Sequence, residues 1–230
     1  MTRLSIIVPV LDEAAGIESC LAPLQPLRAR GAEVIVVDGG SSDATCSLAA
    51  PLADRVLVAP RGRARQMNAG AAAARNDILV FLHADTHLPD DADRFIGAAI
   101  QRGAAWGRFD VAITGTSALL PLVACSMNLR SRITGIATGD QAMFVRRDAF
   151  EEAGRFAEIP LMEDVALSRR LKRIGRPACL RERVTTSGRR WERHGTLRTI
   201  LLMWRLRLAY ALGADPRTLA HRYDVERTSV

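Results

Sequence analysis

The sequence predicts an α/β domain with a mostly parallel central sheet flanked by helices and a C-terminal helical extension. Two features carry this expectation. Four short β-branched runs alternate with helical patterns across residues 4–102. Strands joined by helices at such short spacing pair in parallel, with helices on both faces. After a less regular middle comes a strongly apolar helical pattern over 196–212. The 230 residues suffice for one domain that buries about 70% of its unfolded surface, so no disulfide or metal staple is required.

Leu4-Ser5-Ile6-Ile7-Val8-Pro9-Val10 reads as a buried strand. Ile17, Leu21, Leu24 and Leu27 follow at helical spacing, with Gly31 placed as the C-cap. Glu33-Val34-Ile35-Val36-Val37-Asp38 is the second strand, and Gly39-Gly40-Ser41-Ser42-Asp43 the turn after it. Residues 55–59 form a third strand, 63–75 an Ala-rich helix and 78–82 a fourth strand that runs into His83-Ala84-Asp85. Pro89 opens a helix to about Arg102. In the second half, 104–114 and 141–145 read as strands, and 119–133 and 148–153 as helices. Glu163-Asp164 opens a helix with Leu167, Leu171 and Ile174 on one face, stopped by Gly175 and Pro177.

Composition and charge narrow the function. The net charge is +7, and residues 165–210 hold 13 basic against 2 acidic side chains, leaving the rest of the chain slightly acidic. A basic C-terminal third suits an anionic partner such as a phosphate-bearing substrate or an anionic membrane surface, or else forms solvated faces. Nucleic acid is not expected, because few aromatics interleave the arginines for stacking. The four cysteines are scattered without a CxxC pair, which fits a reducing, cytoplasmic setting. No early segment has the pattern of a signal peptide, and no uncharged run reaches the ~20 residues of a membrane span. The helix over 196–212 suits packing on the domain, contact with a second copy as a homodimer, or a peripheral seat on the inner face of the membrane.

Several nucleotide sites are excluded by spacing. A P-loop needs Gly-Lys-Ser/Thr, but the only lysine, Lys172, precedes Arg173. The dinucleotide fingerprint needs a glycine turn after the first strand, where Leu11-Asp12-Glu13 stands. A serine hydrolase needs GxSxG, which is missing. What remains is acid at three strand ends: Asp12-Glu13 after the first, Asp38 on the second and Asp85 after the fourth. In a parallel sheet these ends share one edge, where ligands sit.

Ser5-Ile6-Ile7-Val8-Pro9-Val10-Leu11-Asp12-Glu13, Val36-Val37-Asp38-Gly39-Gly40-Ser41-Ser42-Asp43 and Phe81-Leu82-His83-Ala84-Asp85-Thr86 together resemble family 2 glycosyltransferases of the GT-A fold. Gly139-Asp140-Gln141 and Glu163-Asp164 extend the resemblance, which covers about residues 3–190. It departs at Asp12, where the family usually has Asn, at Gly39, where a second Asp is usual, and at His83, which replaces the first Asp of the DxD metal motif. The His-Ala-Asp variant looks like a small bacterial subgroup.

The resemblance implies a GT-A-like domain over 1–190 and a helical extension over 191–230 packed on it. It implies transfer of a sugar from a nucleoside diphosphate-sugar to an acceptor hydroxyl by a single inverting displacement, with Mg²⁺ or Mn²⁺. Asp85 is the expected metal ligand, with His83 as helper, because a hard cation held by carboxylate neutralises the leaving diphosphate. Pro9, Asp12, Glu13, Asp38 and Ala84 are expected in the donor pocket, approached by Arg65 and Asn68. Asp164 is the expected general base, with Glu163 beside it; its place in the first turn of a helix predicts a lowered pKa. Asp140 and Gln141 are expected on the acceptor side, and Arg189, Arg190 and Trp191 near the diphosphate or the sugar. The acceptor is unassigned, with a lipid or isoprenoid suited to the apolar helix. A nucleotidyltransferase-type enzyme and a non-catalytic basic binding protein are the competing readings.

Overall fold

The first strand, β1 (Leu4–Val10), sends side chains alternately into two cores. Leu4, Ile6, Val8 and Val10 enter one cluster, and Ile7 enters the other with Ile35, Val37, Leu79 and Phe81. Helices cover both faces, so the strands are continuously apolar instead of alternating. The described part of this computed structural model is residues 3–228, apart from the side chains at 190, 193, 194 and 224–228. Arg190, singled out above, therefore lies outside the described side chains.

Parallel pairing joins β1 to β2 (Glu33–Asp38) and to β4 (Ile78–Phe81), and β2 to β3 (Arg55–Val58). The register sets Val10 beside Asp38, so the acids after β1 and on β2 reach the same edge. Helix α4 (Arg63–Ala73) lies on one face with α7 (Arg147–Glu152) and α8 (Glu163–Ile174), through Met67, Phe150 and Leu167. Its approach is close: a Cβ on Gly70 would sit 2.4 Å from Ile7 Cγ2. The other face carries α1 (Ile17–Leu21), α2 (Gln25–Ala29), α3 (Thr45–Ala49) and α5 (Ala92–Gln101). The single helix expected over 17–27 is broken by a 3₁₀ turn at Ala22–Leu24. Pro23 and Pro26 each remove a helical N–H donor, which accounts for the break.

The sheet grows to eight strands in the order β3-β2-β1-β4-β7-β6-β8-β5. Here β5 is Thr86–His87, β6 is Trp106–Thr114, β7 is Met143–Arg146 and β8 is Ala178–Ser187. Six strands run one way, while β7 and β5 run antiparallel to their neighbours. The ten-residue β8 was not expected from the sequence. Its residues Arg181-Glu182-Arg183 interrupt the apolar alternation, and pairing with β6 fixes it through a register shift at Phe109/Asp110.

Helix α6 (Leu120–Thr134) packs on β6 through Asn128, which bonds both backbone groups of Val111. The C-terminal helices are α9 (Arg189–His194), α10 (Thr196–Ala211) and α11 (Pro216–Thr228). Leu206 of α10 and Leu219 of α11 form a small third cluster with Met162 and Val165. Among the described residues no helix is long and apolar enough to cross a membrane.

Candidate active site

The loops after β1 and β2 are laced together. Asp12 takes a left-handed backbone, φ 51°, a conformation that Asp tolerates better than most residues other than glycine. Its amide donates to Ser41 Oγ at 2.8 Å and its carboxylate accepts the Ser42 amide at 2.8 Å. Asp38 accepts from the amides of Gly40 and Ser41 and from the Ser41 hydroxyl. Burial works against its ionisation, but these bonds outweigh it and hold the carboxyl below its usual range. Asp12 and Asp38 thus both shape the loop pair from within, and Asp38 is only 2% exposed.

Between this loop pair and β4 lies a polar cleft of about 360 Å³. Pro9, Glu13, Ala84 and Asp85 line it with Arg61, Arg63 and Gln66. Burial, then the charge of Asp85, pushes the Glu13 carboxyl up, while Arg189 pulls it down. Glu13 and Asp85 are therefore like charges close enough to act on each other, within reach of the Arg189 charge. Arg65 and Asn68 do not line the cleft, although a Cβ on Gly62, which does, would lie 3.7 Å from Arg65 Cδ. Arg65 pairs with Glu158 at 3.0 Å, and Asn68 bonds the backbone of Phe156 in both directions. Gln66, which carried no motif, is buried and clamps the two strand ends, donating to the carbonyls of Val10 and Val37 at 2.8 Å. Its amide fills the place of a side chain at position 39: a Cβ on Gly39 would lie 3.0 Å from Gln66 Oε1.

Asp85 is set by the sheet. Its carbonyl accepts the Ser187 amide at 3.1 Å, and the next residue, Thr86, pairs with Thr186 of β8. His83 lines the same cleft and also bonds beyond it. Its Nδ1 lies 3.3 Å from Asp140 Oδ1, and its ring covers Gly139 so closely that a Cβ there would sit 2.2 Å from Nε2. Asp140 stands on a one-turn 3₁₀ helix, Gly139–Gln141, closed by a reciprocal Thr138–Gln141 cap. Gln141 itself is fully buried and bonds Asn128 Oδ1, so it builds the turn without lining a cavity among those described.

Among the described residues no three His, Cys, Asp or Glu side chains gather as a complete metal cage. The donor set nevertheless fits a hard divalent cation bound with a diphosphate, which needs only one or two carboxylates. The mutual repulsion of Glu13 and Asp85 is what such a cation would relieve. Asp85 is the carboxylate candidate in the cleft, and His83, which lines it as well, bonds Asp140 and packs on Gly139.

Glu163 and Asp164 begin α8 after Met162, another residue with positive φ, 69°. Glu163 is 2% exposed and ion-paired to Arg63 at 3.0 Å. Asp164 accepts the Gly139 amide at 3.0 Å and its neighbour's amide, Val165, at 2.7 Å. The lowered pKa expected from the helix dipole is overturned. Burial, then the Glu163 charge, pushes the Asp164 carboxyl up to about 6, against the amide bonds and Arg63.

Two further cavities meet the polar cleft at these residues. A chamber of about 240 Å³ is lined by His83, Asp140, Asp164 and Arg63, under α10 and α11. An apolar cavity of about 330 Å³ runs from Asp85 and Asp140 between α6, α9 and α10, past Trp191. Asp85 is common to the cleft and the apolar cavity, His83 to the cleft and the chamber, and Asp140 to the chamber and the apolar cavity. Arg189, exposed, bonds Ser187 Oγ and bears on Glu13. Sequence reasoning passed over Arg130 and Arg207, which both line the apolar cavity. Arg130 falls in a helix with no motif around it. Arg207 had the one available signal, a charge inside an otherwise apolar helix.

A sequence model of the family described as Glycosyl transferase family 2 matches residues 5–154 and so ends before Glu163 and Asp164. The succinoglycan biosynthesis protein ExoA of Rhizobium meliloti is 35% identical over 109 residues, 43% of this chain and 33% of that protein. The chain thus spans about a third of the length of that relative. Among solved structures, S. aureus TarS superposes with a TM-score of 0.66 at 18% identity, covering 81% of this chain and 61% of that one. The mannosyltransferase PcManGT from Pyrobaculum calidifontis, in complex with GDP-Man and Mn²⁺, gives 0.65 at 19%, covering 99% and 70%. Glucosyl-3-phosphoglycerate synthase from Mycobacterium tuberculosis, in complex with Mn²⁺, UDP and glucosyl-3-phosphoglycerate, gives 0.57 at 22%, covering 80% and 71%. At these identities the likeness is one of fold, here the GT-A fold.

Proposed function

The chain belongs to glycosyl transferase family 2 and is a glycosyltransferase, and from that membership we propose that it moves a sugar from a nucleoside diphosphate donor to an acceptor hydroxyl, with inversion and with a divalent cation. The observation that carries the reading is the division of acids around one point. Glu13 and Asp85 stand in the polar cleft, and Asp140 and Asp164 stand across the His83 wall in the chamber. The first pair suits a donor diphosphate and the second an acceptor. Solved neighbours of the same fold hold UDP-GlcNAc or GDP-Man, which supports a nucleotide-sugar donor.

Asp85 would hold Mg²⁺ or Mn²⁺, which when bound neutralises the charge that develops on the leaving diphosphate. The Arg189 charge acts on Glu13 in the same cleft. Asp164 takes the acceptor proton as the acceptor oxygen bonds to the anomeric carbon, and the bond from that carbon to the diphosphate breaks. A carboxylate titrating near 6 is ionised at neutral pH yet more basic than an exposed one, which suits a general base. His83 acts on Asp140 as a positioning residue. Gln66 and Gln141 keep the strand ends and the acidic turn in place.

The test is thermal stability across a panel of nucleoside diphosphates with and without Mn²⁺. A tenfold excess over Kd is expected to add about 1.4 kcal/mol with one base, and only with the metal. No shift with any nucleotide would remove the donor assignment.

A further inference from the structure

We propose that the acceptor is an anionic amphiphile, with its charged group held by Arg130 and Arg207 and its apolar chain lying in the cavity between α6 and α10. This rests on the reading above, in which the Asp140–Asp164 side receives the acceptor.

Three independent features of the cavity point to this chemistry. The wall surface is mostly apolar, through side chains such as Leu122, Val123, Met127, Trp191, Ile200 and Trp204. A surface that is mostly apolar favours a ligand with a hydrocarbon part over one that is polar throughout. Two guanidiniums, Arg130 and Arg207, stand at the inner end beside Asp85 and Asp140. Nε and Nη2 of Arg130 and Nε of Arg207 are buried with no hydrogen-bond partner. Burial holds Arg130 below the usual guanidinium range, although Asp164 and Asp140 pull it up. Those two acids feel Arg130, so an anion bound to it would lie beside the base. Buried guanidinium donors without an acceptor are unfavourable, and a phosphate or carboxylate would satisfy several at once.

The outer end opens onto a surface suited to hold a chain. Leu122 and Trp204, at the rim, are each 67% exposed. Leu197, Leu201, Leu208 and Leu212 continue one face of α10 at helical spacing, each more than 60% exposed. Exposed apolar faces of this extent mark interaction sites. The arginines at the inner end select an anionic amphiphile over an uncharged one. The chain would enter past Trp204 and place its hydroxyl, next to the charged group, at Asp140 and Asp164.

The experiment is titration calorimetry on the full chain with dodecyl phosphate below its micelle concentration, beside inorganic phosphate and dodecyl maltoside. Thermal stabilisation by nucleoside diphosphate and Mn²⁺ is measured on the same samples, so that failure of the donor reading is seen separately. Dodecyl phosphate is expected to bind at least about tenfold more tightly than either control. Arg130→Gln or Arg207→Gln is expected to erase that preference and leave the nucleotide response intact. Trp204→Ala, at an exposed position that does not threaten folding, should weaken dodecyl phosphate about tenfold. Co-sedimentation with phosphatidylglycerol vesicles would assign the amphiphile to a membrane. Binding of monomeric dodecyl phosphate without co-sedimentation would assign it to a free acceptor, and both support the proposal. Equal binding of inorganic phosphate or dodecyl maltoside would overturn it. So would a dimer that Trp204→Ala dissociates, with no dodecyl phosphate response, because the cavity would then belong to a second copy.

Discussion

Asp164 sets two opposing demands on one carboxyl group. Its pKa rises from 3.8 to about 6 on folding, so between those values the native state binds the extra proton. Stability contributed by this group is therefore full below about pH 4 and falls as pH rises to about 6. Asp164→Asn should raise Tm by about 2–4 °C at pH 7, the shift expected for about 1 kcal/mol in a chain of this size, and leave it unchanged at pH 4. The same variant should lose roughly 10²–10⁴-fold in transfer if Asp164 is the base. Wild-type turnover in it would end that assignment. Transfer by the unaltered enzyme should rise about tenfold per pH unit below 6 and then level. Asp85→Ala should abolish the metal-dependent part of nucleotide stabilisation; equal affinity with and without Mn²⁺ would contradict the role.

Helix α4 shows how packing overrides local preference. Gly70 sits mid-helix, where alanine would gain about 1 kcal/mol of helix propensity. Its Cβ would meet Ile7 Cγ2 at 2.4 Å and Val37 Cγ2 at 3.0 Å, an overpacking that costs about 1–3 kcal/mol. The second term is the larger, so Gly70→Ala should lower stability in urea unfolding, and a net gain would show that α4 can lift without loss. The same helix carries Gln66 into the loop pair. Gln66→Leu should cost about 1–3 kcal/mol by orphaning buried backbone groups and should weaken nucleotide binding as the strand ends part. The turn at Gly139–Gln141 works similarly: the cap between Thr138 and Gln141 is buried structure, while Asp140 between them faces the cavities.

Across the whole molecule the apolar contacts fall into two large clusters on either side of the sheet and a small third one. The third holds α10 and α11 against the start of α8 through Leu206 and Leu219, which are 3% and 1% exposed. A satellite cluster of this size opens at lower free energy than the sheet cores. Leu219→Ala should therefore speed amide exchange across 196–228 and leave β1, β2 and β4 protected; uniform loss of protection would make the extension part of the global fold. Undocking would also open the chamber and the apolar cavity, both walled by Met203 and Arg207.

The periodicity of residues 4–102 was enough to set the parallel half of the sheet, because buried strands and amphipathic helices write their burial into local sequence. It also placed Glu13 and Asp85 at one sheet edge, since strand ends in a parallel sheet share an edge. Residues whose role depends on distant partners left no such trace. Strand β8 exists because β6 pairs with it, and its own sequence is too polar to announce it. Asp12, Asp38 and Asn68 look alike as polar loop and helix residues, but their hydrogen bonds turn them into loop and helix staples. His83 lines the polar cleft with Asp85, as their spacing in sequence implies, but its bond to Asp140, 57 residues away, has no trace in the sequence. The pKa of Asp164 followed the same rule. Its helix position is local and favours ionisation, whereas burial and Glu163 oppose it, and desolvation outweighs a single helix terminus.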